Sequence, residues 1–176
     1  MSGFRTTGTR NVADVGFTRL DEVTIEAPDG STAIRYVLRM HRAVAVVPLD
    51  GDNVVLIEQY RTPFDGPLLE IPAGVLDIPG EDPEQAVRRE LEEEVGYIAG
   101  EVTHLTDLSM SPGVTDEVIS LYVATGIERG ERRPAGPEER HARVVSMPLK
   151  TALAEVKAGR IRDAKSAVAL WLASEL

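Results

Sequence analysis

Between Ala73 and Tyr97 the chain reads AGVLDIPGEDPEQAVRRELEEEVGY, and any fold it adopts has to accommodate that density of acid on one helix. Gly74 and Asp77-Ile78-Pro79-Gly80 punctuate the backbone as turns. Asp82 is suited to cap a helix that starts at Pro83, and Glu81, Asp82 and Glu84 put negative charge where the helix dipole favours it. Gly96 supplies a left-handed residue to end it. On that helix Glu90 and Glu94 stand one turn apart, Glu93 borders the same arc, and Ala86, Val87, Leu91 and Val95 form an apolar stripe. The carboxylates repel one another, and no lysine between Glu81 and Tyr97 relieves them. Spacing alone leaves two readings open. One is an oxygen-ligand site for a hard divalent cation, Mg2+ above all. The other is a solvated helix in which Arg88 and Arg89 pair with Glu84, Glu92 or Glu93.

The same residues carry a resemblance. Glu81, seven residues, Arg89-Glu90, an apolar residue, one variable position, Glu93-Glu94, one variable position, Gly96 and an apolar ring match the Nudix box residue for residue. That box is the signature of hydrolases that cleave nucleoside diphosphates linked to another group. Six residues rather than five separate Gly74 from Glu81, a departure at home in the branch resembling ADP-ribose pyrophosphatases. The resemblance implies an α/β fold, the Nudix α/β/α sandwich with a mixed β-sheet and an N-terminal β-hairpin extension. It divides the chain into residues 1-40, the extension and dimerisation hairpin, and 41-176, the hydrolase domain.

Composition sets outer limits. With 176 residues, 43 % of them hydrophobic and 27 % charged, the chain is expected to be one ordinary globular body. Zero cysteine excludes disulfides and thiolate chemistry and fits a cytoplasmic protein. A net charge of -10 argues against extended contact with a nucleic-acid backbone, and no apolar run is long enough to span a bilayer. His41, His104 and His141 are too scattered for a local zinc motif, and there is no Gly-x-Ser-x-Gly or P-loop ending.

Along the chain, residues 1-12 show no sustained period. Val15 to Ile25 alternates loosely, and Ala27-Pro28-Asp29-Gly30-Ser31 is a turn before a strand over Thr32 to Met40. Ala43 to Leu49 and Val54 to Tyr60 predict a strand pair around Asp50-Gly51-Asp52-Asn53. Strands follow at Glu101 to Leu108 and Val118 to Ala124, with a rigid Ser111-to-Glu117 loop between them. Glu128 to Glu139 is polar and rich in Gly and Pro, a candidate mobile loop; a strand over Ala142 to Met147 and a helix from Asp163 to Ala173 close the chain, with Trp171 expected in the core.

The resemblance also assigns roles. It implies metal binding by Glu90, Glu93, Glu94 and the Ala73 carbonyl, with two or three Mg2+ ions, Mn2+ as a substitute, and Glu81 supporting the ligands through Arg89. Glu138 or Glu139, the latter favoured as the second of the pair, supplies a late carboxylate that ligates metal and positions or deprotonates water. Arg61, in a Gln-x-Arg at a strand end, positions a substrate phosphate or carboxylate; Glu70 orders the loop or the substrate, and Glu117 orients a ribose or a partner arginine. The implied reaction is Mg2+-dependent hydrolysis of a nucleoside diphosphate-sugar, foremost ADP-ribose to AMP and ribose 5-phosphate. GDP-mannose or another nucleotide-sugar, or a catalytically silent nucleotide-binding regulator, are the alternatives. The partner implied is a second copy: a homodimer in which each active site borrows residues from its neighbour's extension.

Overall fold

The computed structural model describes residues 3–176, gathered into two compact units. One ends at Arg42 and takes in Ser109–Val118; the other comprises Ala43–Leu108 and Ile119–Leu176.

In the first unit, β1 (Arg5–Val15), β2 (Thr18–Glu26) and β3 (Thr32–Arg39) form an antiparallel sheet in that order. β2, the turn at Ala27 to Ser31 and β3 are the expected hairpin. β1 is a departure, because an eleven-residue strand begins within residues 1-12, the stretch without a sustained period, whose residues 1 and 2 lie outside the described residues. Its register against β2 shifts between Thr6 and Gly8 and again between Asn11 and Ala13. Each shift moves the following side chains to the other face, and β1 is almost wholly exposed, so no alternating pattern develops in the sequence. Asp21 is fully buried and accepts from Arg19 at 2.7 Å and Arg39 at 3.1 Å. Arg39 also donates to Asp116, whose other oxygen accepts from Met40 N, and Leu38 N donates to Val114 O. Those bonds fasten the loop over residues 111–117 to the end of β3.

In the second unit, β4 (Ala43–Asp50) and β5 (Asn53–Arg61) are the expected pair. A short turn at Thr62–Phe64 leads to β6 (Gly66–Glu70) beside β5, and β7 (Ala73–Val75) pairs with β4. Helix α1 (Pro83–Val95), β8 (Tyr97–Ile98), β9 (Glu101–Ser109), β10 (Val118–Thr125) and β11 (Glu128–Arg129) come next. α2 (Pro137–Arg140), β12 (Arg143–Pro148), α3 (Leu149–Lys157) and α4 (Ala164–Ala173) complete it. The main sheet runs β12-β5-β4-β10-β9, with β4 and β10 parallel and β4 and β5 antiparallel: a mixed sheet.

β4 is buried from Ala43 to Pro48 because both of its faces are covered. Val44 and Val46 pack with Ala86, Val87, Leu91 and Val95 of α1, while Ala45 and Val47 point the other way, where α4 lies against β4 and α3 against α4. Helices on both faces give the expected α/β/α layering. Trp171 is a correction: it is 58 % exposed, because α4 turns Lys165, Ser166, Ala169, Leu170 and Ala173 inward instead. The stretch from Glu128 to Glu139, expected as a mobile loop, is tied down. Gly130 N donates to Gly96 O, Arg133 N to Glu93 O, and Arg132 donates to the carbonyls of Glu94, Glu139 and Ala142. Among the described residues, no helix is long and apolar enough to cross a membrane.

Candidate active site

Helix α1 begins and ends as its sequence dictates. Asp82 accepts from Glu84 N, Pro83 is its first residue, and Gly96, with φ of 74°, closes it by donating to Glu92 O and Leu91 O. The apolar stripe fixes its rotation, and that rotation carries Glu90 and Glu94 inward with it. They are 9 % and 3 % exposed, whereas Glu93 is only half-buried. Two of the three carboxylates of the acidic arc are therefore buried.

Glu94 Oε2 accepts from Ala73 N at 2.9 Å, and the Glu90 carboxyl lies against Gly74. A Cβ at residue 74 would stand 2.0 Å from Glu90 Cδ, so only glycine leaves room for this approach. Arg89 braces the cluster. It holds both oxygens of Glu81 at 2.8 and 3.0 Å and reaches Glu90 at 2.6 Å and Glu93 at 3.2 Å. The expected Arg89–Glu81 bond is therefore present. Arg88, by contrast, turns to the Ala99 carbonyl rather than to a carboxylate.

The electrostatics follow from this burial. Desolvation lifts Glu90 to about 7, against the pull of Arg89 and with the charges of Glu93 and Glu139 adding to it. Desolvation lifts Glu94 to about 8, opposed by the Ala73 N–H and reinforced by Glu90 and Glu139. Of the two late glutamates, Glu139 is the one whose charge reaches Glu90 and Glu94; its Oε2 accepts from Ala135 N, while Glu138 is exposed.

Arg61, at the end of β5, donates Nε and Nη2 to the two oxygens of Glu70 at 2.7 and 2.8 Å. Burial opposes ionisation of Glu70, yet Arg61 and Lys165 together hold it below its ordinary value. Glu117 belongs to the first unit, where its N–H donates to Thr115 Oγ1. Two contributors carry no assigned role in the sequence, although Asp163-Ala164-Lys165 resembles the C-terminal part of the same branch. Arg132 pins the end of α1 to α2, and Lys165 reaches Glu70 across 95 residues, a separation that no local pattern encodes.

Among the described residues, no three Asp, Glu, His or Cys side chains already converge into a metal cage. Their oxygens are instead held by Arg89 and by the amides of Ala73 and Ala135. The donor set nonetheless fits a hard dication. It consists of carboxylate oxygens, two of them buried one helical turn apart, with pKa values raised by desolvation.

Residues 39–169 match the family model of the NUDIX domain, and the chain belongs to that family. It is 40 % identical over 147 residues to the methanol dehydrogenase activator of Bacillus methanolicus, covering 83 % of this chain and 79 % of that one. It is 35 % identical over 147 residues to the ADP-ribose pyrophosphatase of Bacillus subtilis (strain 168), with the same coverage. A crystal structure described as that of an ADP compounds hydrolase superimposes with a TM-score of 0.88 at 27 % identity, covering 98 % of this chain and 92 % of the other.

Proposed function

We propose that this chain is a cytoplasmic, Mg2+-dependent pyrophosphatase of nucleoside diphosphate-sugars that hydrolyses ADP-ribose to AMP and ribose 5-phosphate. The observation that carries the reading is the pair Glu90 and Glu94, buried beside Gly74 and Ala73 with Glu93 and Glu139 close enough to add their charge. A protein that only bound nucleotide would have little use for two carboxyl groups buried at this cost.

A pyrophosphate repels an incoming hydroxide. Two or three Mg2+ ions would supply the neutralising charge and lower the pKa of the water there. Glu90, Glu93, Glu94 and the Ala73 carbonyl would hold them. Arg89, anchored on Glu81, keeps Glu90 and Glu93 in register. Glu139 takes the proton of the attacking water, its neighbour Glu138 being the second choice, and Arg61 holds a phosphate oxygen. Water adds to one phosphorus, the bridging oxygen leaves with the other, and the two phosphate monoesters separate.

The extension, residues 1-40, pairs two copies into a homodimer, and residues 41-176 carry the chemistry. Glu117 orients the substrate ribose or a partner arginine. ADP-ribose ranks first because the Leu69-to-Gly74 stretch and the Ser111-to-Glu117 loop resemble that branch, and because the Bacillus subtilis relative bears that name.

Incubating purified protein with Mg2+ and, separately, ADP-ribose and GDP-mannose tests the reading. AMP and ribose 5-phosphate from ADP-ribose, abolished by EDTA, is the expected result. Faster turnover of GDP-mannose would replace the substrate, and no turnover of any nucleotide-sugar would sink the enzyme.

A further inference from the structure

β5, β6 and α4 bring four charged side chains into one network, and the reaction as described uses only Arg61. Glu70, 2 % exposed, accepts from Arg61 Nε and Nη2 at 2.7 and 2.8 Å and from Lys165 Nζ at 2.5 Å. Lys165, also buried, reaches Asp163 Oδ2 at 2.9 Å. Asp163 caps α4 by accepting from Ser166 N at 3.0 Å, and Ser166 Oγ accepts from Ile71 N at 2.8 Å. A cleft of about 160 Å³ opens on Arg61, Phe64, Glu70, Asp163 and Lys165.

The geometry of Arg61 is informative. Its Nε and Nη2 edge is wholly committed to Glu70, and among the described residues Nη1 has no partner. A guanidinium held this way can turn only one edge to a ligand. Its power to attract an anion depends on the charge behind it. Arg61 with Glu70 and Lys165 with Asp163 sum to zero; without Lys165 the set is negative, and Arg61 presents its edge from an anionic background.

We propose that Lys165 is a positioning residue for substrate capture: by holding Glu70 and neutralising Asp163, it presents Arg61 Nη1 to a phosphate oxygen of the nucleoside diphosphate. The inference rests on the proposed reaction for its substrate, but its test does not require turnover. A lysine that served only to knit α4 to β6 would have the same contacts, so the decisive variants are those in which charge and fold pull apart.

ADP binding in EDTA, followed by calorimetry, and KM and kcat for ADP-ribose in Mg2+ are measured for three variants. Lys165→Gln should weaken ADP binding and raise KM by roughly tenfold while kcat stays within about threefold, the effect of one nearby charge. Lys165→Arg should recover most of that loss. Asp163→Asn keeps a capping side chain and leaves Lys165 in excess, so it should tighten ADP binding rather than weaken it. That variant also decides the question if Lys165→Gln fails to fold.

Unchanged ADP affinity in folded Lys165→Gln, or weakened affinity in Asp163→Asn, overturns the proposal, as does a wild type that binds no ADP. A wild type that binds ADP but hydrolyses no nucleotide-sugar overturns the reaction instead. The three affinities then still decide the role of Lys165.

Discussion

The carboxyl of Glu90 occupies the space that a side chain at Gly74 would fill, with Cδ 2.0 Å from where that Cβ would be. The glycine of the turn and the glutamate of the helix are therefore one structural unit. Gly74→Ala should drive the Glu90 carboxyl out of its place beside β7, at a cost of up to about 1–3 kcal/mol where its buried surroundings resist the move, and should abolish measurable turnover. Adding Glu90→Ala to it should restore most of the stability measured by urea unfolding but none of the activity. Additive stability losses would disprove the coupling.

Glu93→Gln and Glu94→Gln separate chemistry from folding. Each keeps size and helix compatibility while removing a charge, so turnover should fall by about 10²-fold or more with the far-ultraviolet circular dichroism unchanged. For Glu94 the amide oxygen can still accept from Ala73 N, and above about pH 8, where the buried carboxyl of the metal-free protein ionises, the change should raise stability. Mg2+-dependent activity that survives either change would mean the ligands are elsewhere.

The pH dependence follows from the same burial. Burial lifts Glu90 and Glu94 from the ordinary 4.5 of the unfolded chain to about 7 and about 8 in the folded one. Within that window the folded chain retains protons that the unfolded chain has released. Their contribution is fully present below about pH 4.5 and is lost as the pH rises through about 8. Glu70 and Asp21, whose values are lowered, lose theirs only as the pH falls through the acid range. In EDTA the melting temperature should therefore drop from pH 5.5 to pH 8, and Mg2+ should remove most of that drop. A melting temperature in EDTA that rises over this range would contradict the assignment.

Arg89→Ala removes a guanidinium that bonds Glu81, Glu90 and Glu93 at once. Both stability and turnover should fall, and Arg89→Lys should restore little, because an ammonium cannot reproduce the two-oxygen grip on Glu81. A variant that loses stability alone would confine Arg89 to folding.

What the sequence disclosed depended on how local the cause was. The ends of α1, its apolar stripe and the Glu81–Arg89 spacing are written within two dozen residues, and the helix forms where its caps say it should. The β4–β5 pair is equally local. The depth of Glu90 and Glu94 was not, since it depends on how β7 meets α1. β1 was hidden by its two register shifts, and Trp171 looked like core because its neighbours do. Lys165 and Arg132 act on partners 95 and 38 residues away, where only the finished fold can bring them.

The dimer is the last expectation to test. On β3, Ile34 and Tyr36 are two residues apart and so share a face, 52 % and 55 % exposed, and Phe17 and Val15 at the β1–β2 turn are 63 % and 68 % exposed. Ile34 and Tyr36 lie toward the Ala27-to-Ser31 end of the sheet and Val15 and Phe17 at its other end, so the proposed pairing would lay a second copy along its length. Two-fold symmetry means that a change in either region acts twice per interface. Ile34→Asp with Phe17→Asp should yield monomers by light scattering and weaken ADP-ribose capture more than Mg2+ binding, because Glu90, Glu93 and Glu94 stay together on α1. A wild-type mass of one chain across micromolar concentrations, with full activity, would show that each copy works alone.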